Sequence, residues 1–265
     1  MTKLTLQARK LVLAVLGATL LLAGATTAQA AGSSSREKPT IVLLHGAFAD
    51  GATWSEVTAR LQDDGYNVVV PAVPLRGIAA DTSYLSGVLA TIPGQKVLVG
   101  HSYGGALVSE LADTADVKSL VYVAAFIPQA GDTLGALNSQ FPGSDLGPDV
   151  TYPIVYPGGV DLALRPDKAG PVFAADIPAR KAAVVIAEQR PVAAAAFGET
   201  VAKTAPAALP KYAVIPTGDH AIAPAAERFM ANRAGAKVTE IDGASHLVAL
   251  SQPSAVTKVI ERAAR

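Results

Sequence analysis

Short apolar runs alternate with stretches of helical spacing over most of the chain. Residues 40–44, 66–70, 96–100, 118–124, 211–216 and 237–241 are mostly continuous in Val, Ile and Leu, the pattern of parallel strands buried on both faces. Between them, Trp54, Val57, Thr58 and Leu61 recur at helical spacing. Tyr84, Leu85, Val88, Leu89 and Ile92 share another helical face, with Asp81 as the expected N-cap. Residues 103–112 and 224–233 read as helices, the second with Pro224 in its first turn, and 252–264 closes the chain as an amphipathic helix. Strand and helix in alternation predict an α/β fold, a doubly wound and mainly parallel six-stranded sheet.

The alternation breaks once. From about 128 to 210 the chain is rich in Pro, Gly and Ala, with helical stretches near 178–190 and 192–203. A structureless loop of that length does not suit a compact domain. The segment therefore reads as a small helical lid inserted over the carboxyl edge of the sheet, within a domain spanning 40–265. A polar stretch at 31–39 reads as a flexible linker ahead of it.

The amino-terminal residues have a different character. Lys3, Arg9 and Lys10 precede an uncharged apolar run at 11–25, and Ala28-Gln29-Ala30 puts small residues at the −3 and −1 positions of a cleavage site. That order is a secretory signal peptide, cleaved after Ala30. The alternative is a retained membrane anchor, but a run of about 15 residues falls short of the ~20 that cross a bilayer. The expectation is export, to a periplasm or beyond the cell. Residues 1–30 hold three bases and no acid, so of 22 bases and 22 acids in the chain 19 and 22 remain, a net charge of −3. This mild, unclustered balance gives no electrostatic case for nucleic acid or an anionic membrane as partner. Zero cysteines exclude disulfides, thiolate metal sites and a cysteine nucleophile.

Gly100-His101-Ser102-Tyr103-Gly104-Gly105 follows an apolar strand and opens a helix. In that setting Gly-x-Ser-x-Gly marks a nucleophile on a turn so tight that side chains two residues to either side would collide. The turn lifts the Ser102 hydroxyl clear of the sheet and aims the Tyr103 amide at a developing oxyanion. A bare glycine-rich strand-to-helix turn is the bland alternative. A second oxyanion donor is expected from Ala47 in His45-Gly46-Ala47-Phe48, which leaves the first strand at the same sheet edge. His45 reads as a brace for this loop.

A serine hydroxyl needs a base. His101 must point away from Ser102, which leaves His220 and His246. His246 follows the last strand in Gly243-Ala244-Ser245-His246, the place expected for the chain order Ser, Asp, His, and is favoured over His220. Three acids compete: Asp219 in Thr217-Gly218-Asp219-His220 at a strand exit, Asp132 at the root of the lid, and Asp242, which reads as a solvated turn residue. Position and order favour Asp219, with Asp132 its main rival.

Together these residues resemble one branch of the α/β-hydrolase superfamily, containing plant methyl-salicylate esterases, hydroxynitrile lyases and bacterial pyrethroid-type carboxylesterases. The likeness covers most of the chain after residue 40. It rests on Ile41-Val42-Leu43-Leu44-His45-Gly46-Ala47-Phe48 with Trp54, on Val99-Gly100-His101-Ser102-Tyr103-Gly104-Gly105, on Leu120-Val121-Tyr122-Val123-Ala124-Ala125, and on Gly243-Ala244-Ser245-His246 with Ser251-Gln252-Pro253. The lid is least similar. In that branch the acid stands a little under thirty residues before the histidine, which the resemblance carries to Asp219, 27 residues before His246. Lyases of the branch have threonine at the position of Gly46 and lysine after the histidine, where this chain has Leu247. The resemblance thus implies ester hydrolysis.

The reading that follows is a serine carboxylesterase acting on small to medium hydrophobic esters, with no metal or organic cofactor. Phe48, Phe126, Phe141, Tyr152, Tyr156 and Phe173 are the expected lining of an apolar acyl or alcohol pocket, each with simple core packing as its alternative. Two other classes stand beside it: a lyase, acyltransferase or perhydrolase on the same triad, and a ligand-binding protein that retains the triad without turnover.

Overall fold

The computed structural model describes residues 38–265. The expected signal peptide and most of the linker lie outside the described residues. Six strands form one sheet: β1 (Thr40–Leu44), β2 (Val68–Val69), β3 (Lys96–His101), β4 (Val117–Val123), β8 (Lys211–Pro216) and β9 (Lys237–Ile241). Their order is β2-β1-β3-β4-β8-β9 and every pairing is parallel. The six expected strands are these six. The edge strand β2 keeps only two residues of the stretch expected there, Val68 and Val69 paired with Ile41 and Val42.

The alternation along each strand divides the core in two. Ile41, Leu43, Val97, Val99 and Val121 pack on one face beneath α1 (Ser55–Asp63), α8 (Val248–Ser251) and α9 (Pro253–Ala264). Val42, Leu44, Leu98, Leu120 and Tyr122 pack on the other beneath α2 (Ile78–Ala90), α3 (Tyr103–Glu110) and α7 (Pro224–Arg233). This two-faced burial is why the inner strands β1, β3, β4 and β8 lack a polar stripe. The chain runs from β1 outward to β2, then returns past β1 to β3. Loops leaving β1 and β3 therefore diverge at the carboxyl edge, opening a crevice where such sheets bind ligands.

Two expectations are corrected. Asp81 is not an N-cap: α2 begins at Ile78, and its first amides, Ile78 N and Ala79 N, donate to the Glu199 carboxylate at 2.7 and 2.8 Å. Asp81 lies in the first turn, fully buried, and accepts from Arg76 N and the Tyr103 hydroxyl. The lid is not purely helical. It holds α4 (Leu134–Ser139), a hairpin of β5 (Thr151–Tyr156) and β6 (Gly159–Leu164), then α5 (Pro166–Phe173), α6 (Ala179–Ala187) and β7 (Val192–Ala193). The three strands form an antiparallel sheet ordered β5-β6-β7. The stretch expected as helix at 192–203 is β7 followed by a short 3₁₀ turn, Ala194–Phe197. β-Branched residues around Pro157-Gly158, with Gly158 at φ +99°, carry a hairpin signal that lid composition had masked.

Candidate active site

Ser102 sits between β3 and α3 with φ +53° and ψ −119°, a conformation that side-chain-bearing residues rarely hold. The turn is held by backbone bonds: Ser102 N donates to Ala124 O at 3.1 Å, and Phe126 N donates back to Ser102 O at 3.2 Å. Its tightness fixes the flanking residues. A Cβ on Gly100 would stand 2.3 Å from Gly104 O, and one on Gly104 would stand 2.7 Å from Leu44 O. Phe48 and Ala124 also have positive φ, +59° and +47°, so backbone strain gathers around this point.

Two buried amides face no protein acceptor. Among the described residues, neither Ala47 N nor Tyr103 N donates a hydrogen bond, and the Ser102 side chain does not cap α3. Unpaired buried N–H groups are rare in folded proteins. These two belong to the loops leaving β1 and β3, on either side of the crevice.

Of the candidate acids, Asp219 is the one that meets His246. His246 Nδ1 donates to Asp219 Oδ2 at 2.6 Å, with both side chains sealed from solvent. Asp219 Oδ1 accepts from Ala221 N at 2.7 Å and Ile222 N at 2.9 Å, which fixes the orientation of the carboxyl group. With its Nδ1 proton committed, the ring presents the Nε2 lone pair. Asp132 is engaged elsewhere, paired with Arg233 at 2.5 Å. His220 is exposed and pairs with Asp145, and Asp242 accepts from the Thr217 hydroxyl in a turn.

The other two histidines brace the site. His101 Nε2 donates to His246 O at 3.0 Å and the two rings lie 4.7 Å apart, so the residue beside the serine holds the loop that carries His246. Burial, then the neighbouring His246, hold His101 well below the usual imidazole range and keep it neutral. Among the described residues Ser102 Oγ has no side-chain hydrogen-bond partner. His45 Nε2 accepts from Val73 N at 3.0 Å while Nδ1 donates to Gly46 O, and burial, with the Arg190 charge, lowers its pKa. It is a strut for the Ala47 loop.

The expected pocket residues scatter. Phe48 lines a cavity of about 680 Å³ beneath the lid, walled by α4, the β5–β6 hairpin and the turn at Phe197. Neither Ser102, Asp219 nor His246 lines it, and Phe48 is the link: it lies edge-on to Phe173 at 5.9 Å, which lies edge-on to His246 at 5.3 Å. Tyr152 packs against Arg165, and Tyr156 bonds Arg76 and Asp161 at the lid margin. Phe141 meets Phe229, and Phe126 is buried in the core. Glu227, which pattern reading passed over, is buried beside Asp219. Among the described residues no group of three or more His, Asp and Glu side chains is placed to hold a metal ion.

A parallel sheet with a strained serine at its switch point and a buried Asp–His pair at the same edge defines a class. The profile of the alpha/beta hydrolase family matches residues 41–259, and the chain belongs to that family. A carbendazim-hydrolysing esterase of Nocardioides sp. (strain SG-4G) is 36% identical over 110 residues, 36% of this chain and 46% of that one. A pyrethroid hydrolase of Sphingobium wenxiniae is 35% identical over 108 residues, 35% of this chain and 38% of that one. The matched stretch thus spans less than half the length of these relatives. Among solved structures, polyneuridine aldehyde esterase superposes with a TM-score of 0.73 at 22% identity, over 85% of this chain and 99% of that one. A pyrethroid hydrolase from Sphingobium faniae JZ-2 gives 0.68 at 24%, over 85% and 97%.

Proposed function

We propose that this protein is a serine carboxylesterase that hydrolyses small to medium hydrophobic esters through an acyl-enzyme on Ser102. The observation that carries the reading is the buried Asp219–His246 bond at 2.6 Å, tied by His101 to a serine on a strained elbow. His246 Nε2 takes the hydroxyl proton as Ser102 Oγ attacks the ester carbonyl. Asp219 fixes the tautomer and stabilises the imidazolium. The unpaired amides of Ala47 and Tyr103 receive the oxyanion. The imidazolium then gives its proton to the departing alkoxide, and the acyl group remains on Ser102. Water, deprotonated by the same nitrogen, attacks the acyl carbonyl, and the carboxylic acid leaves as Ser102 regains its proton.

The relatives named as esterases and hydrolases support ester chemistry, and the apolar cavity supports hydrophobic substrates. Gly46 and Leu247 lack the threonine and lysine that cyanide elimination would use. Export after cleavage near Ala30 belongs to the same proposal, tested by amino-terminal sequencing of protein recovered outside the cytoplasm. The catalytic reading is tested with p-nitrophenyl butyrate and a fluorophosphonate probe. Ser102→Ala is expected to lose at least about 10³-fold in kcat/KM, and all labelling, with its fold intact. Undiminished hydrolysis or labelling in that variant overturns the assignment.

A further inference from the structure

Glu227 stands one turn inside α7, the helix that follows the Asp219 loop, with Glu227 N donating to Ala223 O at 3.1 Å. Helical side chains lean toward the amino terminus, and this lean carries the Glu227 carboxyl back to within hydrogen-bonding reach of Asp219. The residue is 2% exposed. Both carboxyl oxygens are buried, and among the described residues neither has a donor to accept from. The group borders a void, shared with Tyr122, Ala125, Ile127 and Ile215, that is too small to admit water.

The charges around it give no counterion. Arg228, next along α7, turns outward to Glu240 of β9 with bonds of 2.7 and 2.8 Å. The Tyr122 hydroxyl of β4 is engaged with Ser109. Asp219 is itself bonded to His246 and two amides. A second carboxylate here would have no solvent and no donor, and would sit against a like charge. As a neutral acid it has one proton to give, and Asp219 is the acceptor within reach.

We propose that Glu227 is a positioning residue, a neutral carboxylic acid that donates its proton to Asp219, so that the acid arm of the triad is a carboxyl pair holding one proton. This rests on the reading of Asp219 as the acid partner of His246. Burial first, then the Asp219 charge and the bond to it, push the Glu227 carboxyl well above the usual carboxylate range, against a weaker pull from Arg228. The donated hydrogen bond holds the Asp219 carboxyl in the plane it presents to His246 Nδ1.

Three proteins test this: wild type, Glu227→Gln, which stays neutral and can donate, and Glu227→Leu, which fills the space and cannot. The raised carboxyl keeps its proton in the fold but loses it on unfolding above about pH 4.3. The wild-type unfolding constant should therefore rise about tenfold per pH unit relative to Glu227→Gln, from about pH 5 until Glu227 ionises. The infrared carbonyl band of a neutral carboxylic acid should be present at pH 7 in wild type and absent from Glu227→Gln. With p-nitrophenyl butyrate, Glu227→Gln should keep the acid limb of kcat/KM, and Glu227→Leu should move it to higher pH as the Asp219 carboxyl loses a donor. A pH-independent stability gap with no acid band at pH 7 overturns the proposal. Its failure is distinct from that of the esterase reading, which Ser102→Ala decides, because stability and infrared bands are read without turnover.

Discussion

A single hydrogen atom at Gly46 leaves room for the serine. A Cβ built there would lie 2.7 Å from Ser102 Cβ and 2.9 Å from His101 Nδ1, closer than side-chain carbons approach. Neither neighbour can yield, since Ser102 is pinned by the elbow and His101 by the His246 carbonyl. Gly46→Ala is expected to lower kcat/KM by about 10²-fold, the scale of an ångström's misplacement in a preorganised site. Kinetics alongside circular dichroism check it, and a variant as active as wild type would mean that the elbow is softer than its contacts imply. The residues at this scale that were readable before the fold are those that punctuate strand ends: Ser102, Asp219 and His246 each follow an apolar run at one sheet edge. Glu227 gave no such sign. In Pro224-Ala225-Ala226-Glu227-Arg228 a charged residue reads as solvated, and only the packing of α7 on β4 and β8 buries it.

Elements were legible where their signals are local and illegible where a distant residue supplies them. The α2 helix shows both. Its apolar face, including Leu85 and Leu89, is plain from spacing, but its start is not, because the cap comes from Glu199, 121 residues from Ile78. Asp81 was the nearest capping residue in sequence, yet the fold spends it on the Tyr103 hydroxyl. A carboxylate on two helix-start amides satisfies orphan donors and complements the helix dipole. Glu199→Ala is expected to destabilise the protein by about 1–2 kcal/mol, read as a lower midpoint in urea. The kcat of the folded fraction should hold within about twofold. A loss of kcat without loss of stability would instead place Glu199 in the substrate path. The lid hairpin is the counter-case: its turn signal was local, but a Pro-, Gly- and Ala-rich setting concealed it.

At the scale of the whole molecule, the proposed function puts the chemistry at one sheet edge and leaves the lid to sort the substrates that reach it. The lid is fastened to the core at several points. Arg76 holds Asp161 of β6 with paired bonds of 2.9 Å, Arg190 donates to Val73 O at 3.0 Å, and Leu247, next to His246, donates to Phe173 O at 2.9 Å. On the proposed reading a clasped lid leaves substrate size to the cavity beneath it, and Phe48 stands where that cavity meets the Phe173–His246 contact. Phe48 belongs to the same loop as Ala47, so this ring borders both the expected oxyanion site and the apolar space. Removing it should join the two. Phe48→Ala is expected to cost about 3 kcal/mol of stability from the lost packing, and to raise kcat/KM for naphthyl and benzyl esters relative to p-nitrophenyl acetate. A panel graded in acyl and alcohol size, assayed at a temperature where the variant remains folded, measures this ratio. An equal fall for every ester would show that substrate reaches Ser102 by another way, and that the 680 Å³ cavity is separate from the catalytic crevice.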